Sequence, residues 1–242
     1  MMGKTLRALI AGLGLLSLSQ TVALAEFSKS QKDELNALIE AYVRENPEIV
    51  RDALIKLAND EAQAQREQAF AILASDEGDP YIGADDADII IYEFSDYNCG
   101  YCKRVFQQLQ AVVAEDPKVR LTLKEYPILA ESSLIAARAA IASHKQGLFE
   151  PFHIGMMTWR GAISADSILS IAAEVGLDLD QLEADMKSQE TDTILSRTRA
   201  TAQALEVSGT PALVIGTEFI GGAVSAQEIR DVIAEQRALK NS

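Results

Sequence analysis

The chain has 242 residues, of which 48% are hydrophobic and 24% are charged, and its net charge is −14 at pH 7. A chain of this length and apolar content can bury one good-sized core and a small additional domain. Its acidic balance argues against nucleic acid and against anionic membranes as binding partners.

The first residues have the pattern of an export signal. Lys4 and Arg7 form a short basic start, and the stretch 8–16 has no charged or polar side chain. Ala23-Leu24-Ala25 is the small-x-small pattern that signal peptidase recognises. We therefore predict a signal peptide over residues 1–25, cleaved after Ala25, and a protein that works in the periplasm. The alternative is an uncleaved membrane anchor, for which the apolar stretch is short.

Residues 26–75 are predicted to form a helical extension. Apolar side chains recur at helical spacing in its first half, with Ser30 and Asp33 as candidate caps. Asn46-Pro47 indicates the start of a second helix, which would reach about 40 Å if it ran unbroken to Ala74. Two such helices cannot bury both apolar stripes in a core of their own. They either wrap around the main domain or pair with the same helices of other copies.

The main domain is predicted over residues 76–242, after a linker that is acidic and rich in turn-forming residues up to Asp88. A buried strand over 89–94 precedes the cysteines, and an amphipathic helix and a strand over 119–126 follow them. Residues 131–206 are mostly helical. The remaining predicted elements are two strands and a last helix, over 212–215, 218–220 and 226–239. This order indicates an α/β fold with a helical insertion.

The only two cysteines stand close together, as Cys99-Gly100-Tyr101-Cys102. A disulfide over so short a span contributes only about 2 kcal/mol, so an exported protein that keeps one such pair is expected to use it for chemistry. A strand that leads into a helix would place Cys99, exposed, at the helix N-terminus, where the dipole and free N–H groups favour its thiolate. Cys102, one turn further along, would be the shielded, resolving thiol.

The alternative for a lone cysteine pair is half of a metal site. Structural zinc takes four ligands, and the chain offers only His144 and His153 besides the thiols, at a spacing that resembles no zinc motif. We therefore predict neither metal nor cofactor. Both histidines are interpreted as surface or partly buried polar residues.

Several segments resemble those of the DsbA-like thioredoxin family. They are the run 93–103 around the cysteines, Tyr126 to Leu129, the loop 208–212 with the sequence Ser-Gly-Thr-Pro-Ala, and the closing hairpin over 214–223. The resemblance covers about residues 79–239. It implies a thioredoxin fold and a thiol:disulfide oxidoreductase.

The resemblance also implies a binding loop beside the cysteines. The bond before Pro211 would be cis, with Thr210 facing the thiols, and a cis X–Pro bond is uncommon enough to need such a reason. That loop would bind an extended client segment through its backbone. Gly100 and Tyr101, between the cysteines, are assigned to the same client-binding surface.

Two further residues are assigned to catalysis by the resemblance. Glu93 stands where the family keeps a buried acid under the active site, and an acid near Cys102 could move that thiol's proton. Lys124, on the neighbouring predicted strand, is the expected partner of Glu93. The alternative for both residues is an ordinary buried or edge ion pair.

Finer details of the resemblance favour one group within the family. Cys-Gly-Tyr-Cys with threonine before the proline is similar to the isomerase DsbC and the ScsC-like proteins, whereas DsbA has histidine where Tyr101 stands. This implies an enzyme that forms or isomerises disulfides in reduced or misfolded client proteins and uses a membrane redox partner. The helical extension resembles the stalk of some ScsC-like proteins, which implies a homo-oligomer. A trimer is the first choice for its oligomeric state, and a dimer is the second. A non-catalytic holdase or adaptor, and copper handling by the thiols, are the open alternatives.

Overall fold

The structure, a computed structural model, describes residues 27–240, so the predicted signal peptide lies outside the described residues. The elements are α1 Lys29–Glu45, α2 Pro47–Ala74, β1 Tyr81–Gly83, β2 Ile89–Ser95, α3 Gly100–Glu115, β3 Val119–Glu125, α4 Glu131–Lys145, α5 Phe149–Thr158, α6 Ala165–Glu174, α7 Leu179–Met186, α8 Gln189–Ala204, β4 Ala212–Ile215, β5 Glu218–Gly221 and α9 Ala226–Lys240. Across residues 27–240, no helix has both the length and the apolar character needed to cross a bilayer.

The described residues divide into two compact units, one that ends at Leu57 and one that begins at Ala58. The boundary that we predicted between residues 75 and 76 therefore lies inside the second unit. Leu73, in the last turn of α2, accounts for the difference: it is 1% exposed and packs in one hydrophobic cluster with Phe94 of β2. The end of α2 is thus part of the core of the second unit.

In the first unit, the helices begin close to the predicted places. Ser28 caps α1 instead of Ser30 or Asp33: its hydroxyl accepts the N–H of Gln31, and the Gln31 side chain accepts the N–H of Ser28. No residue of α1 is buried. Large apolar side chains of this unit are exposed, among them Leu35, Leu38, Ile39, Tyr42, Ile49, Val50, Leu54 and Leu57.

The second unit is built on a five-stranded sheet with the strand order β1-β3-β2-β4-β5. β2 and β3 are parallel, and the other neighbouring pairs are antiparallel. Helices α4 to α8 lie between β3 and β4 in the chain, so the predicted α/β fold with a helical insertion is confirmed. Strand β1 was not predicted, because its three residues lie in the acidic stretch that we interpreted as a linker.

Each face of the sheet carries its own hydrophobic cluster. Ile91 and Leu123 belong to the cluster formed with α3, α9 and the helical insertion. Tyr92 and Phe94 belong to the cluster formed with Leu73 and the end of α8. Because successive side chains of a strand point to opposite faces, residues adjacent in β2 or β3 lie in different surroundings. This alternation decides which of the predicted site residues can meet.

Candidate active site

Cys99 lies where the turn after β2 meets the start of α3. It is the N-cap of that helix, and its sulfur accepts the N–H of Cys102 at 3.2 Å, which satisfies one of the free N–H groups of the helix end. The Cys99 sulfur also lies 3.3 Å from the carbonyl oxygen of Thr210, to which it donates only in its protonated form. The predicted placement of the pair at a helix N-terminus is therefore confirmed.

Cys99 is less exposed than we predicted. The residue is only 5% exposed, because the Thr210 carbonyl and the first turn of α3 lie against its sulfur. Cys102 is fully buried. The expected order, with Cys99 the more accessible of the two thiols, is retained.

The two thiols differ strongly in acidity. Hydrogen bonding from the Cys102 thiol, helped by the backbone N–H groups at the start of α3, lowers the pKa of Cys99 to about 5 against the opposing effect of burial. The same thiol–thiol hydrogen bond raises the pKa of Cys102, and burial and the negative charge of Glu93 raise it further. At neutral pH, Cys99 is a thiolate and Cys102 a thiol, as attack by one and later resolution by the other require.

Asp96 holds the active-site turn together, a role that the sequence reasoning missed. One carboxylate oxygen accepts the Asn98 N–H at 2.8 Å and the Ser133 hydroxyl of α4 at 2.7 Å. The other accepts the N–H groups of Ile128 and Leu129 at 2.9 and 3.0 Å. One buried side chain thus connects the turn before Cys99, the loop after β3 and the start of α4. The only sequence signal for it is an aspartate in a turn.

The loop before β4 and the residues between the cysteines lie on either side of the Cys99 sulfur. The Thr210–Pro211 bond is cis, as the resemblance implies, and the Pro211 carbonyl accepts the N–H of Gly222 at 2.9 Å. Tyr101 is 59% exposed, and a side chain at Gly100 would meet open space. Thr210 is partly exposed and Pro211 is buried, so Gly100, Tyr101 and Thr210 are the predicted client-binding residues that reach the surface beside Cys99.

Glu93 is buried beneath the cysteines on the face of the sheet that carries α3. Neither carboxylate oxygen has a hydrogen-bond partner among the described residues. Burial raises the pKa of Glu93 to about 8, with the nearby Ser95 hydroxyl opposing the rise and negative charge on Cys99 adding to it. The acid can therefore gain or lose a proton near neutral pH, within electrostatic range of Cys102.

Lys124 does not pair with Glu93, so the predicted pairing is wrong. In the parallel register Lys124 lies beside Phe94, whereas Glu93 lies beside Leu123, and the two charged side chains therefore point to opposite faces of the sheet. Lys124 is fully buried and forms an ion pair with Asp79.

A buried polar cluster lies on the same face of the sheet as Glu93. The Tyr97 hydroxyl donates to Glu125 Oε1 at 3.1 Å and lies 2.8 Å from Nδ1 of His153. All three side chains are buried, which contradicts our interpretation of His153 as a surface or partly buried residue. Its ring is buried against Phe106 of α3 and against Phe149 of the same helix, α5, a packing that no local sequence pattern indicates.

The histidines do not meet the thiols as a metal site would require. His144 packs edge-on against Tyr81, and His153 contacts Tyr97. In the part of the chain that the structure describes, no three His, Cys, Asp or Glu side chains are grouped so that they could hold a metal ion.

The comparison with protein families agrees with this geometry. The profile of the DSBA-like thioredoxin domain matches residues 90–234, from β2 to within α9. The chain belongs to the DsbA-like thioredoxin family. Its thioredoxin-like fold and its place among thiol:disulfide oxidoreductases are thereby established.

Solved structures similar to this DsbA-like chain cover much of its length. A thioredoxin-like oxidoreductase from Silicibacter pomeroyi DSS-3 is 39% identical, with a TM-score of 0.67, over 69% of this chain and 96% of that one. Proteus mirabilis ScsC in a compact conformation is 30% identical, with a TM-score of 0.64, over 85% of this chain and 98% of that one.

One curated relative is a much longer protein. The Na(+)/H(+) antiporter NhaA from Herminiimonas arsenicoxydans is 28% identical over 158 residues, which are 64% of the DsbA-like chain and 25% of the antiporter. The chain thus spans about a quarter of the length of this relative.

The acidity of Cys99 in this DsbA-like domain leads to a pH prediction. The rate of alkylation of the reduced protein is expected to rise with pH, to be half-maximal near the pKa of about 5, and to be constant at neutral pH. Since the pKa is lowered, the thiolate is present above this value and is lost as the pH falls through it. Mass spectrometry after limited labelling with iodoacetamide should find the label on Cys99.

The Cys102→Ala variant is the control for this measurement. Because the Cys102 thiol is the largest cause of the lowered pKa, the midpoint should move upward, towards that of an ordinary thiol. Preferential labelling of Cys102 in the unmodified protein, or a midpoint near pH 8.5, typical of free cysteine, would contradict the assignment.

Proposed function

We propose that this chain is an exported thiol:disulfide oxidoreductase that forms or isomerises disulfide bonds in client proteins through Cys99 and Cys102. The observation that carries the proposal is the pair of thiols at the start of α3 whose pKa values are shifted in opposite directions. A reactive thiolate beside a protected thiol is the arrangement that stepwise disulfide exchange needs.

Isomerisation starts from the reduced enzyme. The Cys99 thiolate attacks one sulfur of a wrong client disulfide, a Cys99–client bond forms, and the other client sulfur leaves as a thiolate. That thiolate can attack a different client disulfide, and a client thiolate finally displaces Cys99. No net electrons are transferred. If the client does not rearrange, Cys102 attacks Cys99 and releases the client in reduced form.

Oxidation starts from the Cys99–Cys102 disulfide. A client thiolate attacks Cys99, and Cys102 leaves and takes up a proton. A second client thiolate then attacks the client sulfur in the mixed disulfide, which releases the Cys99 thiolate and a new client disulfide. The two electrons lost by the client remain on the enzyme dithiol, and a membrane redox partner would remove them.

Glu93 is proposed as the group that exchanges the proton of Cys102. Its raised pKa, about 8, lets it accept that proton when Cys102 attacks and return it when Cys102 leaves. The Thr210–Pro211 loop is proposed to bind the client backbone, with Tyr101 at the edge of the same surface. The exposed ring of Tyr101 and its stacking under Arg104, at 4.0 Å, support this assignment.

Export to the periplasm and assembly into a homo-oligomer complete the proposal. The signal-like start of the sequence supports export. The exposed apolar side chains of α1 and of the first half of α2 support assembly, because contiguous apolar surface of this kind marks an interaction site. A trimer is proposed first, and the cysteine sites of its copies would then act on one client together.

A trapping experiment tests the catalytic proposal. The Cys102→Ser variant is expected to accumulate disulfide-linked complexes with client proteins, because Cys99 can still attack but the intramolecular release is lost. Non-reducing gel electrophoresis with a scrambled disulfide protein measures the complexes. The Cys99→Ser variant is the matched control and should trap none. Equal amounts of complex in both variants would reject Cys99 as the attacking thiol.

A substitution in α1 tests the assembly. Light scattering on the mature chain is expected to give a trimer, and Leu38→Glu should shift it to monomer, because the exposed Leu38 would lie in an apolar interface. Lys32→Glu, a charge change on the same helix, is the control. Truncation at residue 75 is unsuitable, since it would remove Leu73 from the core.

Refolding of a scrambled protein should slow in the Leu38→Glu monomer, while alkylation of Cys99 stays unchanged. A monomeric mature chain, or a monomeric variant with full isomerase activity, would contradict the role given to the helices.

A further inference from the structure

Two arginines lie beside the active site without an acidic partner. Arg104, in the second turn of α3, and Arg160, in the loop after α5, are both exposed. Across residues 27–240 neither forms an ion pair, whereas most other cations of the second unit do, as Arg138 does with Asp192. Because a guanidinium stays protonated at every physiological pH, both side chains carry a positive charge that no described carboxylate pairs with.

The Arg104 side chain points back towards Cys99. Long side chains of an α-helix point towards its N-terminus, and the Arg104 guanidinium lies 4.0 Å from the centre of the Tyr101 ring. Tyr101 is in the first turn of α3, and Cys99 caps the same helix. The positive charge of Arg104 is therefore held over the first turn of the helix, next to the reactive thiol.

A hydrogen bond from Lys103 holds Arg160 against the same turn. The Lys103 ammonium donates to the Trp159 carbonyl oxygen at 2.9 Å, and the carbon of that carbonyl is bonded to the backbone nitrogen of Arg160. Trp159 is the C-cap of α5, so Lys103 satisfies a carbonyl group of a helix end and has a structural role. Burial and the charge of Arg160 lower the pKa of Lys103, in agreement with this proximity.

Stability does not account for the two arginine charges. The N-terminus of a helix is the positive end of its dipole, which favours acidic residues there and disfavours cations. The first turn of α3 contains no acidic residue, and both guanidinium groups lie beside this end. The chain as a whole has a net charge of −14, so these local cations stand against its acidic balance. Local choices that oppose stability are expected at functional sites.

We propose that Arg104 and Arg160 form a cationic edge that binds acidic segments of client proteins next to the client cysteine. The inference rests on the proposed function and adds to it the class of client. Along the axis of α3, Cys99 and Arg104 are about 7.5 Å apart. An extended chain advances about 3.3 Å per residue, so an aspartate or glutamate two to four positions from the client cysteine would reach the edge. Arginine suits this role because its planar group donates two parallel hydrogen bonds to a carboxylate.

Peptide disulfides of opposite charge test the cationic edge. Two symmetric peptide disulfides are compared, one with glutamates and one with lysines two and three positions on either side of a single cysteine. In the full chain with Cys102→Ser, the Cys99 thiolate attacks one peptide sulfur, a Cys99–peptide disulfide forms, and the other peptide leaves as a thiolate without net transfer of electrons. Mass spectrometry follows this product at neutral pH and about 0.15 M salt, where a Debye length of about 8 Å screens the distant acidic surface.

Reversal of both charges should reverse the preference. In Arg104→Glu/Arg160→Glu on this background, the ratio of the glutamate-peptide rate to the lysine-peptide rate is expected to fall at least about tenfold, because attraction becomes repulsion. The intrinsic reactivity of each peptide cancels, since the same two peptides are used with every protein. Arg160→Glu alone changes a loop residue and should give a smaller fall in the same direction.

Arg230→Glu is the matched control. It changes the net charge as Arg160→Glu does, but Arg230 pairs with Glu115 at the far end of α3, about 24 Å along the helix from Cys99. Its exposed ion pair contributes little to stability, and the ratio of the two rates should stay that of the parent protein. Alkylation of Cys99 by iodoacetamide, which is uncharged, should be equal in all variants, because the thiolate itself is unchanged.

The outcomes for the cationic edge and for the proposed function are distinct. An unchanged ratio in the double variant, or a fall in Arg230→Glu as large as in Arg160→Glu, would overturn the edge and leave the proposed function intact. If the double variant does not fold, the ratio in Arg160→Glu decides. Failure of Cys102→Ser to form a mixed disulfide with either peptide would refute the proposed function and, with it, the edge.

Discussion

Replacement of Cys99 by serine is expected to lower the rate of disulfide exchange by a factor of at least about 1000 without unfolding the domain. The serine hydroxyl fits the buried position and can keep both contacts of the thiol, with the Cys102 N–H and the Thr210 carbonyl. It cannot form a mixed disulfide, because the reaction needs a sulfur nucleophile. Reduction of insulin and refolding of a scrambled protein measure the rate, and circular dichroism checks the fold.

The control is Gln107→Ala, which changes an exposed side chain of α3 and leaves both thiols in place. It should retain most of the activity. The result also separates an enzyme from a holdase, since a holdase that binds clients without turnover would keep its effect on refolding in Cys99→Ser. Retained activity in that variant would reject the enzymatic proposal.

The second large effect is expected in stability. Lys124→Met should lower the free energy of unfolding by about 3–5 kcal/mol, because it leaves Asp79 as a buried charge without its main partner. Arg197, whose Nη2 lies 3.0 Å from Asp79 Oδ1, is the second cation beside this carboxylate. It compensates only in part for the loss of Lys124. Urea unfolding followed by circular dichroism measures the loss.

Two further variants show whether the buried charge is the cause. Lys118→Met removes a lysine from an exposed ion pair with Asp86 and should change the stability little. Adding Asp79→Asn to Lys124→Met should restore much of the stability, since no uncompensated carboxylate remains. The alkylation midpoint of Cys99 should be the same in all of them, because Lys124 lies on the other face of the sheet. A shifted alkylation midpoint in Lys124→Met would show that Lys124 acts on Cys99 and would contradict this assignment.

Structural features that depend on residues close together in the sequence were predictable from the sequence. The strand before Cys99, the helix after it and the hairpin of β4 and β5 follow from runs of apolar residues and from turn residues. The bounds predicted for the three strands agree with the structure to within one residue. The placement of Cys99 as a helix N-cap also follows from local order. The cis bond before Pro211 came from the family resemblance and not from any local pattern.

Features that depend on register and on packing of distant segments were not predictable. The pairing of Glu93 with Lys124 failed because adjacent strands alone do not fix which residues share a face; the register of β2 with β3 does. The burial of His153 depends on how α5 packs, and the cluster with Tyr97 and Glu125 joins three separate segments. Strand β1 exists because the edge of β3 offers it a partner.

The four hydrogen bonds to Asp96 have a consequence for how client preference could diverge. They fix the backbone of Ile128 and Leu129 to the turn before Cys99, while the side chains of both residues remain exposed. Exchanging those side chains would alter the exposed surface next to the active-site turn while the backbone held by Asp96 stays in place. Under the proposed function, the preference for clients could therefore change between homologous enzymes without a change in the reactivity of the thiols.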